Sequence, residues 1–148
     1  MLQSTMNKRK KIDLSSAPWT MHEFFAGSGL VAYGLKGMFA PVWANDISEQ
    51  KAAVYKANFV NNHFKLGDIK DVKGNELPFA HLSWASFPCQ DLSLAGSIGG
   101  IHAERSGLVW EWLRVLDEMG QKPKILLLEN VAGLLSTHNG DNYRVLHM

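Results

Sequence analysis

Short apolar runs alternate with amphipathic helical stripes along this chain, and that alternation restricts the fold more than any other feature. Trp19 to Phe25 predicts a first strand, broken by Gly27-Ser28-Gly29, after which Leu30 to Met38 carries apolar residues at helical spacing. A short second strand is expected over Val42 to Ala44, ending at Asn45-Asp46, and Ala52, Val54, Tyr55 and Phe59 form a helical stripe within Ser48 to Phe59. His63 to Leu66 reads as a weak third strand closing on Gly67-Asp68, and Leu82 to Phe87 as a fourth. Leu108, Trp112, Leu116 and Met119 mark one face of a helix that stops at Gly120, followed by an apolar fifth strand from Lys124 to Leu128. Parallel strands need crossover connections, so the pattern points to an α/β domain on a doubly wound, mostly parallel sheet. Asp91 to Gly107 holds four glycines and three serines and predicts a long surface loop, a common form for a functional lid.

A chain of 148 residues, 46% hydrophobic and 20% charged, suits a single globular domain. Its one cysteine excludes an internal disulfide and favours a reducing compartment, by default the cytoplasm. Neither a membrane span nor a secretory signal is expected, because Lys8-Arg9-Lys10-Lys11 has no apolar segment beside it and no run approaches ~18 apolar residues. Residues 1–18 read as a flexible basic arm and 19–148 as the folded domain. With residues 1–20 set aside, 11 of the 15 Lys/Arg and 13 of the 14 Asp/Glu remain, so the body is slightly acidic. A complete duplex-binding protein carries a clear basic surface for phosphates. If this chain acts on nucleic acid, most of that surface lies elsewhere.

Three segments after strand tips hold the candidate chemistry, because strand tips are where open α/β sheets bind ligands. Gly27-x-Gly29-x-x-Ala32 matches a loose dinucleotide fingerprint, and Asp46, at the end of the second strand, can accept hydrogen bonds from ribose hydroxyls. That pair serves NAD or S-adenosylmethionine equally, while a structural turn and a helix N-cap are the plain alternatives. Asp68 is either an adenine contact or a turn aspartate. Cys89, in Ser86-Phe87-Pro88-Cys89-Gln90, is a candidate nucleophile or a small buried hydrophobe. Glu129, directly after Ile125-Leu126-Leu127-Leu128, sits at the sheet's mouth, where burial would require a partner or a proton; a solvated loop glutamate is the alternative. His22 and Glu23 are not expected to ligate metal, and no His/Cys/Asp spacing resembles a metal site.

Taken together, these segments resemble the cytosine carbon-5 DNA methyltransferases. Phe25-Ala26-Gly27-Ser28-Gly29 looks like the family's cofactor motif, Pro88-Cys89-Gln90 like its nucleophile motif, and Glu129-Asn130-Val131 like its second catalytic motif, in the family's order. The resemblance implies a Rossmann-like S-adenosylmethionine-dependent methyltransferase fold, with S-adenosyl-L-methionine as cofactor. Its contacts would come from Phe25, Ala26, Gly27, Ser28, Gly29, Leu30, Asp46, Ile47, Asp68, Ile69 and Pro88. It further implies that Cys89 attacks carbon 6 of a flipped cytosine in double-stranded DNA, with Glu129 as the second catalytic residue and 91–107 as a closing loop.

Some positions depart from the family pattern. Leu30 stands where a second glycine is frequent and Glu23 where aspartate is common. The family's arginine-containing motif, target-recognition domain and closing motifs have no counterpart in these residues, although 141–148 look like the start of the helix after the Glu129 motif. The resemblance therefore implies the N-terminal catalytic portion of a split or truncated restriction-modification enzyme. A second polypeptide or a further C-terminal region would then carry target recognition, and the open edge at the fifth strand would favour that partner or a homo-oligomer. An RNA cytosine methyltransferase and a cofactor-binding subunit without turnover are the alternatives, while an NAD oxidoreductase rests only on the glycine pattern and one carboxylate.

Overall fold

The computed structural model describes residues 10–60, 62–88 and 107–136. Five strands form one sheet: β1 (Trp19–Phe24), β2 (Phe39–Asp46), β3 (Phe64–Leu66), β4 (Leu82–Ala85) and β5 (Ile125–Leu128). Their order is β3-β2-β1-β4-β5 and every pairing is parallel. The chain starts at the centre, steps outward to β3, then returns to the far side of β1. All strands thus run in one direction and their C-terminal tips share one edge of the sheet. The helices are α1 (Leu30–Gly34), α2 (Glu49–Asn58), α3 (Leu108–Glu118) and the short α4 (Gly133–Ser136).

Alternation along the strands feeds two cores, one on each face of the sheet. Met21, Ala44, Tyr55, Phe59, Phe64 and Leu82 pack together beneath α1 and α2. Phe24, Trp43, Ala85, Phe87, Trp112 and Val115 pack on the α3 side. The amphipathic stripe of α3 is the reason it sits there: Val109, Trp112, Val115 and Leu116 are buried, and Trp112 Nε1 donates to Ser83 Oγ at 3.0 Å across the interface.

Four sequence expectations need correction. The first helix ends at Gly34, not near Met38, because Gly37 takes φ 85° and the chain turns directly into β2. That strand starts three residues earlier than expected, at Phe39, paired with Trp19. Pro41 is tolerated inside it because a register shift falls between Met21 and His22 and β3 pairs only with Ala44 to Asp46. No helix joins β3 to β4: two 3-10 turns, Ile69–Asp71 and Gly74–Glu76, make the connection. Arg114 of α3 holds that segment by donating to the carbonyls of Val72 (3.1 Å) and Ile69 (3.2 Å), while Glu118 accepts from Gly74 N at 2.8 Å. The last correction concerns the arm, part of which is docked: Ile12 bridges Phe59, donating to Asn58 O at 2.7 Å and accepting from Val60 N at 2.9 Å, and Leu14 is buried. Apolar Ile12 and Leu14 gain burial that the neighbouring lysines would not.

Strand β5 lies at the sheet edge, paired with β4, and Ile125 and Leu126 are each about half exposed. Among the described residues, no helix is long and apolar enough to cross a membrane.

Candidate active site

The turn after β1 is the first wall of the site. Phe25, Gly27 and Gly29 all adopt positive φ (57°, 56° and 86°), which swings the backbone sharply from strand into α1. Only glycine can fill position 29: a Cβ there would overlap the Phe59 ring and lie 2.9 Å from that of Tyr55. Close approach of α2 to the turn is therefore encoded jointly by Gly29, Tyr55 and Phe59.

Asp46 ties three strand tips together. Its Oδ2 accepts from Gly27 N at 2.8 Å, its Oδ1 from Ser48 N at 2.8 Å, and its main-chain carbonyl from Gly67 N at 3.1 Å. The N-cap of α2 is Ser48, whose side chain accepts from Lys51 N, so Asp46 is not the cap. Asp68 does cap a turn, accepting from Lys70 N at 3.0 Å at the start of the first 3-10 segment, and its neighbour Ile69 is buried.

These tips line a cleft of two adjoining lobes. The first, about 410 Å³, is bounded by Phe25, Asp46, Ile47, Asp68, Pro88 and Leu108, among others. The second, about 370 Å³, is bounded by the turn from Phe25 to Ser28, Leu30, Ser86 and Glu129. Phe25, Lys51 and Ser86 belong to both. The cleft straddles the tips of β1 and β4, where the chain reverses its direction of winding, the point at which open parallel sheets bind ligands. Leu30 and Ile47, expected as cofactor contacts, present exposed apolar side chains here.

Glu129 is exposed at the mouth of the second lobe, and its N–H donates to Ala85 O at 2.9 Å, in line with the β4–β5 ladder. Next to it, Asn130 Nδ2 donates to Phe87 O at 3.2 Å. Cys89 lies outside the described residues, as do Gln90 and 91–106; the segment leading to them is described through Pro88, a cleft residue.

Sequence reasoning missed the layer behind the glycine turn. Glu23 is fully buried; its Oε1 accepts from Ala32 N (3.3 Å) and its Oε2 from Tyr55 OH (3.4 Å), with His63 Nε2 3.0 Å from the same hydroxyl. Burial pushes the Glu23 carboxyl up to about 7, against the opposing effect of those two hydrogen bonds, and lowers the pKa of His63. A carboxylate within an apolar strand was the available signal. Lys51 was also missed, since on a helix stripe it reads as a solvated charge.

A family model for C-5 cytosine-specific DNA methylases matches residues 19–147. Among curated proteins, the chain is 35% identical over 126 residues to the type II methyltransferase M.Bsp6I of Bacillus sp. (strain RFL6), covering 83% of this chain and 39% of that protein. It is 34% identical over 128 residues to M.BsuFI of Bacillus subtilis, covering 86% and 30% respectively. Among solved structures, the S. pombe Dnmt2 methyltransferase superposes with a TM-score of 0.66 at 25% identity, covering 86% of this chain and 41% of that one. The chain thus spans about two fifths or less of these relatives, and within that span it has the parallel-sheet fold of the S-adenosylmethionine methyltransferases. On the family match over residues 19–147, the chain belongs to the C-5 cytosine-specific DNA methylases.

Proposed function

We propose that this chain carries the cofactor-binding and nucleophile-bearing part of a DNA cytosine-5 methyltransferase of the restriction-modification type. The observation that carries the reading is the convergence of the glycine turn, Asp46, Asp68, Pro88 and Glu129 on one cleft, within a stretch that matches the family model throughout.

The cleft fits S-adenosylmethionine on its donor set. Backbone at Gly27 permits close approach, Asp46 retains lone pairs for ribose hydroxyls, Asp68 is an acceptor for an adenine amine, and Ile47 and Leu30 give apolar cover. Bound there, the cofactor supplies an electrophilic methyl group. The covalent steps at the base fall to this chain's own residues. Cys89, as thiolate, adds to carbon 6 of cytosine, breaking the ring's aromaticity and giving carbon 5 enamine character. Glu129 donates to ring nitrogen 3 and accepts from the exocyclic amine, so charge developing on the ring is met by a fixed group. After carbon 5 has gained the methyl group it loses its proton, the carbon–sulfur bond breaks, and Cys89 is free again. Extruding the base from a duplex costs a few kcal/mol. Groups that hold the duplex and choose the sequence belong to the part of the relatives outside the matched stretch, in a further region or a second polypeptide; the slightly acidic body supports this division.

Methyl-tritiated S-adenosylmethionine offered with duplex DNA and with transfer RNA, followed over hours, tests the reading. Label is expected at carbon 5 of DNA cytosine, slowly with the chain alone and not at all with Cys89→Ser. Label confined to RNA, or surviving Cys89→Ser, would overturn it.

A further inference from the structure

The cleft is rich in acid. Asp46, Asp68 and Glu129 line it, and among the described lining residues Lys51 is the one cation, placed where the two lobes meet. Its stem lies over the glycine turn, with Cδ 4.0 Å from where a Cβ on Gly27 would stand. That position follows from helix spacing: Lys51 precedes Tyr55 by one turn of α2, and the Tyr55 ring faces Gly29 on the same side. No acceptor among the described residues engages its ammonium, although Asp46 is only five residues away and shares the cleft.

The turn itself has less to offer an anion than its glycines suggest. Gly27 N is already donated to Asp46 Oδ2, and Gly29 N to Ala26 O at 3.0 Å. A ligand carboxylate entering the second lobe therefore meets the Glu129 carboxylate and, at Gly27, an N–H already given to Asp46. Among the described lining residues, Lys51 alone brings a full positive charge to meet it.

We propose that Lys51 is a cofactor-binding residue whose ammonium pairs with the α-carboxylate of the amino-acid half of S-adenosylmethionine. The proposal rests on the cofactor reading above and assigns this chain's cleft its carboxylate anchor. A lysine held over a glycine turn, without an acceptor among the described residues and in a cleft lined by three carboxylates, is thereby explained: it offsets the acid of the cleft and orients the ligand along it, nucleoside toward Asp46 and Asp68, amino-acid tail toward Gly27.

Titration calorimetry of the 148-residue chain with two probes separates this from a packing role. S-adenosylhomocysteine carries the amino-acid half and methylthioadenosine lacks it, and neither has a charge on sulfur. Lys51→Met, which keeps the stem, should weaken S-adenosylhomocysteine about 3- to 10-fold while leaving methylthioadenosine unchanged, with Lys51→Arg restoring most of the loss. An unchanged melting curve confirms that the variant folds, as expected for an exposed residue. Loss of affinity for both probes alike would overturn the anchor and leave only packing of the turn. Unaltered S-adenosylhomocysteine binding would overturn it outright while the cofactor reading stands. A wild-type chain that binds neither probe would overturn both.

Discussion

The side-chain amide of Asn130 donates to the main-chain carbonyl of Phe87 at 3.2 Å, joining the tips of β5 and β4. Phe87 is two residues before Cys89, and Asn130 is one after Glu129. The bond therefore couples the segments that carry both proposed catalytic groups. Asn130→Ala should slow formation of a Cys89–cytosine adduct about fivefold, the equivalent of one ordinary hydrogen bond of ~1 kcal/mol, while cofactor affinity changes little. Single-turnover kinetics alongside calorimetry would check this; a loss of cofactor affinity with no change in adduct rate would contradict it.

Asp46 should matter to folding as well as to the ligand. Its carboxylate receives two main-chain N–H groups, and Asp46→Ala would leave the Gly27 and Ser48 donors unmatched at a part-buried site. Urea denaturation is expected to show a loss of about 2–3 kcal/mol, with cofactor affinity falling at least tenfold. Wild-type stability in this variant would mean the carboxylate does not hold the turn.

The N-cap glycine of α1, Gly29, and its last residue, Gly34, should respond in opposite directions. Gly29 has φ 86° and faces Phe59 and Tyr55, so Gly29→Ala should destabilise by about 2 kcal/mol or more. Gly34 has negative φ and open space around its Cα, so Gly34→Ala should be neutral or stabilise by up to ~1 kcal/mol. Thermal unfolding of the pair tests the turn geometry, which would be wrong if both variants melted alike.

Glu23 predicts a pH dependence with a definite sign. Its folded pKa, about 7, is raised above the ordinary 4.5 of a glutamate, chiefly by burial. The folded state thus binds the proton more tightly, and the stability this confers is complete below about pH 4.5 and lost as pH rises through about 7. A gap of this size is worth on the order of 3 kcal/mol. His22 and His63, both lowered by burial, act in the opposite sense, costing stability as pH falls below 6.5. The difference between wild type and Glu23→Gln isolates the carboxyl: the variant should gain relative stability between pH 5 and 8. A difference that is flat with pH would contradict a buried, proton-holding Glu23.

The features legible in the sequence are those whose cause is local. The short apolar runs of β1 and β4, the breaker Gly27-Ser28-Gly29 and the acids at strand ends each follow from one segment's chemistry, and the structure has five parallel strands with Asp46, Asp68 and Glu129 on one cleft. What escaped depends on pairs distant in sequence. Ile12 looks like arm until Phe59 is beside it, and the β3–β4 connection lacks a helical stripe because Arg114 and Glu118 hold it from α3. Glu23 is an ordinary carboxylate until Ala32 and Tyr55 enclose it, and Lys51 an ordinary surface charge until α2 lays it over Gly27.

Attack by Cys89 on a cytosine presented to this cleft would leave a covalent adduct that can be trapped. A single-stranded oligonucleotide bearing 5-fluorocytosine avoids the cost of extruding the base, and fluorine at carbon 5 cannot leave as a proton, so the carbon–sulfur bond persists once the methyl group has arrived. Incubated with S-adenosylmethionine, the chain should gain the mass of the oligonucleotide plus one methyl group, mapped to Cys89 by peptide mass spectrometry and absent in Cys89→Ser. An adduct at another residue, a permanent adduct formed without S-adenosylmethionine, or none after prolonged incubation would contradict the account.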